Sequence, residues 1–167
     1  KGWWAHKGNK VACVECPLGW HTNGTSLRST YCASCLAGYW SDQKGAIYNS
    51  SCKPCPAGTF SVTLGAVSNM FCKACEAGKY RIAEGAGHPL ECLDCLAGFF
   101  SNHTKRTKLC DACPTGWYQD TRGQKKCERC GKGSTTEASQ VVKSNCIMCD
   151  LGKYYPHNNG IDEISVC

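Results

Sequence analysis

The large apolar residues of this chain come as adjacent rings and scattered aliphatics, never as runs. Ring pairs stand at Trp3–Trp4, Tyr39–Trp40, Phe99–Phe100 and Trp117–Tyr118, and Trp20, Phe60, Tyr80 and Tyr154 (the last followed by Tyr155) mark the corresponding place elsewhere. No stretch approaches the roughly 20 apolar residues of a membrane-spanning helix. In an extended segment neighbouring side chains point to opposite sides, so each ring pair predicts a very short strand. One ring then turns inward and the other faces out, the alternative being that both fold onto a thin structure with little interior. The outward row is expected to be Trp3, Trp20, Tyr39, Phe99 and Trp117, a candidate interaction surface.

Cysteine sets the period. Eight Cys-x-x-Cys pairs run from Cys13–Cys16 to Cys146–Cys149, and Cys167 stands alone. Counted from the second cysteine of each pair, a glycine falls three residues on, at Gly19, Gly38, Gly58, Gly78, Gly98, Gly116, Gly133 and Gly152. That glycine predicts a backbone turn with positive φ. The rings follow four and five residues on. A second glycine, ten or eleven residues on at Gly45, Gly65, Gly85, Gly123 and Gly160, predicts the turn of a small hairpin. The repeats are bounded at 16–32, 35–52, 55–72, 75–92, 95–110, 113–127, 130–146 and 149–167, with a partial repeat at 1–13. The chain opens and closes mid-pattern and starts without an apolar leader. The repeat is therefore expected to continue beyond both ends, or a leader to have been removed.

The fold class that follows is one of small disulfide-rich repeats: an elongated tandem array of short antiparallel β-hairpins and loops with no large hydrophobic core. Only nearest neighbours are expected to touch.

Composition sharpens this. Seventeen cysteines in 167 residues mark either a disulfide scaffold or a metal-binding array. The net charge is +6. Much of the excess lies in Lys105, Arg106, Lys108, Arg122, Lys125, Lys126, Arg129 and Lys132, against Asp111, Asp120 and Glu128. Such a stretch is either a solvated face or a contact for anionic glycans or an acidic neighbour.

The stretch CPAGTFS at residues 55–61, followed by a glycine and then Cys72-x-x-Cys75, resembles the ephrin-receptor-like cysteine-rich repeat, whose hallmark reads C-P-x-G-[TK]-[YF]-S, glycine, C-x-x-C. The repeat is also distantly similar to the first half of a tumour-necrosis-factor-receptor module. The resemblance extends over nearly the whole chain. Loops opening at Cys16, Cys55 and Cys113 carry Cys-Pro, while the others have Leu, Glu, Gly or Asp after the cysteine. The loop from Cys130 departs further, with Thr135 where a ring belongs. The resemblance implies an extracellular, disulfide-bonded protein, and no single function.

Cys-x-x-Cys pairs 15 to 20 residues apart are also a zinc spacing. A zinc site needs two pairs, so a zinc array should alternate ligating halves, whereas every repeat here has one frame. Three glycosylation sequons, at Asn23, Asn49 and Asn102, suit an extracellular chain. Asn23 and Asn102 fall at the same offset, seven residues after an opening cysteine. Disulfides are therefore preferred to zinc and to redox-active pairs, and no metal or cofactor is expected.

The simplest pairing joins the second cysteine of each pair to the first of the next: Cys16–Cys32, Cys35–Cys52, Cys55–Cys72, Cys75–Cys92, Cys95–Cys110, Cys113–Cys127, Cys130–Cys146 and Cys149–Cys167. Cys13 is then unpaired. Bonding within each Cys-x-x-Cys and crossed pairings are the alternatives. In the first scheme each closure of ~15 residues restricts the unfolded chain by about 3 kcal/mol, standing in for a core that short loops cannot build.

No catalytic constellation is visible. His6, His21, His88, His103 and His157 sit at unrelated places in their repeats, and no nucleophile elbow or phosphate loop occurs. The reading is non-enzymatic. One hypothesis is a glycosylated structural rod that self-associates, head to tail or laterally, into an extracellular filament, appendage or coat. The alternative is a ligand-binding ectodomain of a cell-surface receptor or adhesion protein, with a protein or anionic-glycan ligand. Nucleic acid is not an expected partner of either.

Overall fold

The computed structural model describes residues 3–4, 14–22, 31–136 and 142–153. The chain divides into two compact units, one of residues 1–75 and 81–92, the other of residues 76–80 and 93–167.

Each hairpin starts from a tight turn. The residue after an opening cysteine accepts a hydrogen bond from the residue three further on, as in Trp20 N–H to Pro17 O (3.2 Å) and Tyr39 N–H to Leu36 O (3.0 Å). The repeat glycine is the third residue of that turn, with φ between 71° and 88°, a conformation costly for a side chain. The chain then extends for two residues. These pair with the two residues inside the following Cys-x-x-Cys, which the disulfide has brought alongside. In the first unit Trp3–Trp4 pairs antiparallel with Val14–Glu15, Trp20–His21 with Ala33–Ser34, Tyr39–Trp40 with Lys53–Pro54, and Thr59–Phe60 with Lys73–Ala74. In the second, Lys79–Tyr80 pairs with Leu93–Asp94, Phe99–Phe100 with Asp111–Ala112, Trp117–Tyr118 with Glu128–Arg129, and Ser134–Thr135 with Ile147–Met148. Three-residue 3-10 turns at Asn49–Ser51, Asn69–Phe71 and Pro89–Glu91 lead into closing cysteines.

Seven disulfides join the second cysteine of one pair to the first of the next, from Cys16–Cys32 through Cys130–Cys146, with Cα–Cα distances of 5.6–5.8 Å. Cys149 is also disulfide-bonded. Cys13 and Cys167 lie outside the described residues, and so does the Cys149–Cys167 bridge of the simplest scheme.

The interior is made largely of sulfur and small groups, joined in the second unit by Arg106, Gln119 and Lys143. The opening cysteines from Cys16 to Cys130 are buried, and the most enclosed side chains are Cys16, Cys35, Cys55, Cys75, Cys95, Cys113, Thr136, Ser41, Ser61 and Ser101. Ala46, Ala66 and Ala86 complete it in the first unit.

Loops are fastened to one another by backbone hydrogen bonds. In the first unit Gly38 N–H donates to Ser61 O (2.7 Å), Ser41 N–H to Ala66 O (2.9 Å), Gly65 N–H to Cys35 O (2.8 Å) and Cys55 N–H to Gly38 O (2.7 Å). The same four bonds recur one loop earlier, through Gly19, Thr22, Gly45 and Cys35, and one loop later, through Gly58, Ser61, Gly85 and Cys75. In the second unit Gly98 donates to Gln119 O (2.7 Å), Ser101 to Gln124 O (3.2 Å), Gly123 to Cys95 O (2.8 Å) and Cys113 to Gly98 O (2.9 Å). The second glycine therefore does more than turn a hairpin: its N–H docks the loop on its predecessor.

Contact also reaches past the nearest neighbour, contrary to the expectation above. A methyl group on Gly19 would lie 2.1 Å from Gly65 O, and one on Gly38 would lie 2.2 Å from Gly85 O, two loops on. In the second unit Gly78 stands in the same relation to Gly123 O, at 2.0 Å. The absence of a side chain at the first glycine is what permits this approach.

The loop from Cys95 has no second glycine, yet Lys105 takes its place with φ 56°, the one non-glycine residue with positive φ among those described. The loop from Cys130, which lacks a ring, keeps its hairpin. Thr135 and Thr136 are buried, and Gly116 N–H donates to Thr136 Oγ1 (2.9 Å) where other loops offer a backbone carbonyl.

Candidate interaction surface

The five rings expected to face outward do not form one exposed row. Trp20 retains 39 % exposure, while Tyr39, Phe99 and Trp117 are half-buried, and the side chain of Trp3 lies outside the described residues. For Tyr39 and Trp20 the reason is the contact between alternate loops. The Tyr39 hydroxyl lies 2.9 Å from where a Cβ on Gly85 would be, and Trp20 Nε1 lies 3.2 Å from the same point on Gly65. These rings fill space that glycine leaves open, so they join loops to each other. Strand alternation tells which rings share a face, but not which face the next loop but one will cover.

The companion ring Trp40 lies under Lys53, whose Nζ is 4.7 Å from the ring centroid and 2.9 Å from Asp42 Oδ1. The Lys53 hydrogen bond holds the Asp42 carboxyl below its usual range. Trp40 Nε1 is buried without a hydrogen-bond partner.

The most exposed large apolar side chains are aliphatic instead. Leu36, Leu64, Met70 and Leu90 of the first unit all project into solvent. Met70 (87 % exposed) and Leu90 (79 %) occupy the middle of successive 3-10 turns. Asn49 is exposed at the first position of the equivalent turn one loop earlier, and Asn102 is exposed in its own loop, so both present their amides to solvent. Asn23 lies outside the described residues.

The basic stretch separates into two kinds of side chain. Arg106 is internal. Its guanidinium donates to Asp111 Oδ1 and Oδ2 (2.7 and 2.8 Å), to Lys108 O (3.2 Å) and through two nitrogens to Leu109 O. The Arg106 hydrogen bonds, against the opposing effect of burial, lower the pKa of Asp111. Lys105, Lys108, Arg122, Lys125, Lys126, Arg129 and Lys132 are exposed and make no ion pair among the described residues. Arg129 alone of these has a fixed partner, the Trp117 ring, with its guanidinium carbon 5.2 Å from the centroid.

Among the described residues, His21, His88 and His103 do not converge, and His6 and His157 lie outside them. His88 Nδ1 accepts from Leu90 N–H (3.2 Å) and caps a turn, while His21 Nδ1 lies 2.8 Å from the Thr22 carbonyl. The fourteen cysteines of the seven bridges have no thiolate to offer zinc. No helix among the described residues is long and apolar enough to cross a membrane.

Residues 24–72 and 98–143 match the family described as tyrosine-protein kinase ephrin type A/B receptor-like. No curated protein matches the chain.

Proposed function

Since the chain belongs to the ephrin type A/B receptor-like cysteine-rich family, with more than half its length matched, we propose that it is a structural, glycan-bearing segment of an extracellular protein that self-associates into a filament, appendage or coat. The disulfide frame and the family point to an extracellular setting. The observation that carries the proposal is the exposure of Met70 and Leu90 at one position of consecutive repeats, with Leu36 and Leu64 of the same unit also exposed. Large apolar groups recurring on one kind of corner give a second copy repeated points of attachment. Asn49, on the preceding corner, and Asn102 would carry glycan and direct association away from themselves.

Sedimentation velocity and negative-stain microscopy of secreted, disulfide-intact protein test this. Association that deepens with concentration and is lost in M70E/L90E is the expected result. A monomer at every concentration overturns the reading.

A ligand-binding ectodomain is the second reading, favoured by the unpaired cations between Arg122 and Lys132. A membrane helix encoded beside these repeats in the full-length gene would decide for it.

A further inference from the structure

We propose that the hairpin Trp117–Tyr118/Glu128–Arg129, with the loop that Cys113–Cys127 closes, is a binding site for an acidic polysaccharide: a sugar polymer bearing sulfate or carboxylate groups. Trp117 pairs in register with Arg129, and Tyr118 with Glu128. Adjacent positions of a strand face opposite ways, so the Trp117–Arg129 pair is on one side of the ladder. The carboxylate of Glu128, which accepts from the Tyr118 hydroxyl at 3.4 Å, is on the other. The Glu128 carboxylate is thereby kept off the face that carries Arg129.

Arg129 lies over the Trp117 indole, its guanidinium carbon 5.2 Å from the centroid, and its N–H groups remain available to grip the oxygens of a sulfate or carboxylate. Arg122, Lys125 and Lys126 extend from the same closed loop, and Lys132 follows three residues after Arg129. That loop is held in shape from inside. Buried Gln119 donates through Nε2 to Lys126 O (2.9 Å), and its Oε1 accepts from Thr121 N–H (3.2 Å) and Thr121 Oγ1 (3.0 Å). Gln124 Nε2 donates to Arg122 O (3.3 Å). Cations on a braced backbone lose less freedom on binding than cations on a slack one.

The occupant follows from three features together. The cations are spread along a loop and a ladder, which suits a linear polyanion touching at several points. An aromatic ring lies among them, and the C–H face of a sugar stacks on such a ring. The oxidising, extracellular setting makes acidic glycans the accessible polyanions.

Surface plasmon resonance of the secreted, disulfide-intact chain over immobilised heparin tests the assignment. K125Q/K126Q is compared with K44Q/K73Q, which removes the same charge from two exposed, unpaired lysines of the other unit. The first variant is expected to lose about tenfold or more in affinity, and the control to stay within about twofold. R129Q should lose about tenfold, and R129K should recover only part, since it restores the charge without the planar fork. The slope of log affinity against log salt should fall by roughly one for each site cation removed. Near-ultraviolet circular dichroism verifies the fold of each variant. Equal losses in the two double variants would overturn the proposal, as would no binding at physiological salt. So would polyglutamate competing as well as dextran sulfate at equal charge, which would assign the site to an acidic protein.

Discussion

Gly38 offers the sharpest test of how these loops interlock. In Gly38→Ala the new methyl would stand 2.2 Å from Gly85 O and 2.8 Å from the Ala86 carbonyl carbon, both backbone atoms that no rotamer can move aside. Ordinary contact begins near 3.5 Å, so the two loops must part by roughly 1 Å. Overpacking of that kind costs about 1–3 kcal/mol. It also strains the 2.7 Å bonds from Gly38 N–H to Ser61 O and from Cys55 N–H to Gly38 O. Alanine at φ +85° adds about 1–2 kcal/mol. The total is about 2–5 kcal/mol. Gly45, in the same unit, isolates the conformational part. Its φ is +63°, but its nearest neighbour is the flexible Glu15 side chain at 3.6 Å, so Gly45→Ala should cost only about 1–2 kcal/mol. Guanidinium titration with disulfides intact, followed by tryptophan fluorescence, measures both. Hydrogen exchange at the Gly38 and Cys55 amides reports whether the loops have separated. Coincident midpoints and unchanged exchange would refute the close approach of alternate loops.

Three further outcomes follow from local geometry. Lys105→Gly relieves a left-handed lysine and should stabilise the second unit by about 0.5–1 kcal/mol, read as a shift in denaturation midpoint; a loss of stability would contradict the assigned backbone. Thr136→Val removes the hydroxyl that accepts from buried Gly116 N–H and should cost about 1–3 kcal/mol, with faster exchange of that amide. The folded-state pKa of Asp111 is depressed, so its contribution to stability is present above the unfolded carboxylate value and fades as pH falls below about 4. Acid titration of Asp111→Asn should show a weaker loss of stability in that range, and an unchanged acid limb would remove Arg106–Asp111 from the account.

The repeat frame was legible because cysteine and glycine carry it. A glycine at a fixed distance from each bridge announces positive φ, and the eight glycines three residues after an opening cysteine have it. The fastening between loops was much less legible. It runs through backbone N–H and C=O groups, which every residue has, so it leaves only faint traces. Those traces are the serines at 41, 61 and 101 and the pairs Gly45–Ala46, Gly65–Ala66 and Gly85–Ala86, each small because another loop's backbone lies against it. The rings misled for a related reason. The side of Tyr39 left free by its own ladder is taken by Gly85, two loops away. In the basic stretch, charge counting could not distinguish Arg106, spent on Asp111 and two carbonyls, from Arg129, whose hydrogen-bonding edge is left open.

The bridges also decide how such a chain bears a pull. Tension entering at Cys55 crosses directly to Cys72 and leaves along Lys73 and Ala74 to Cys75, so the residues between Cys55 and Cys72 lie off the load path. The same detour is spared at every closed loop. A tether of this kind has little slack to release until its sulfur links are cut, and a reductant, more than force, would let it lengthen.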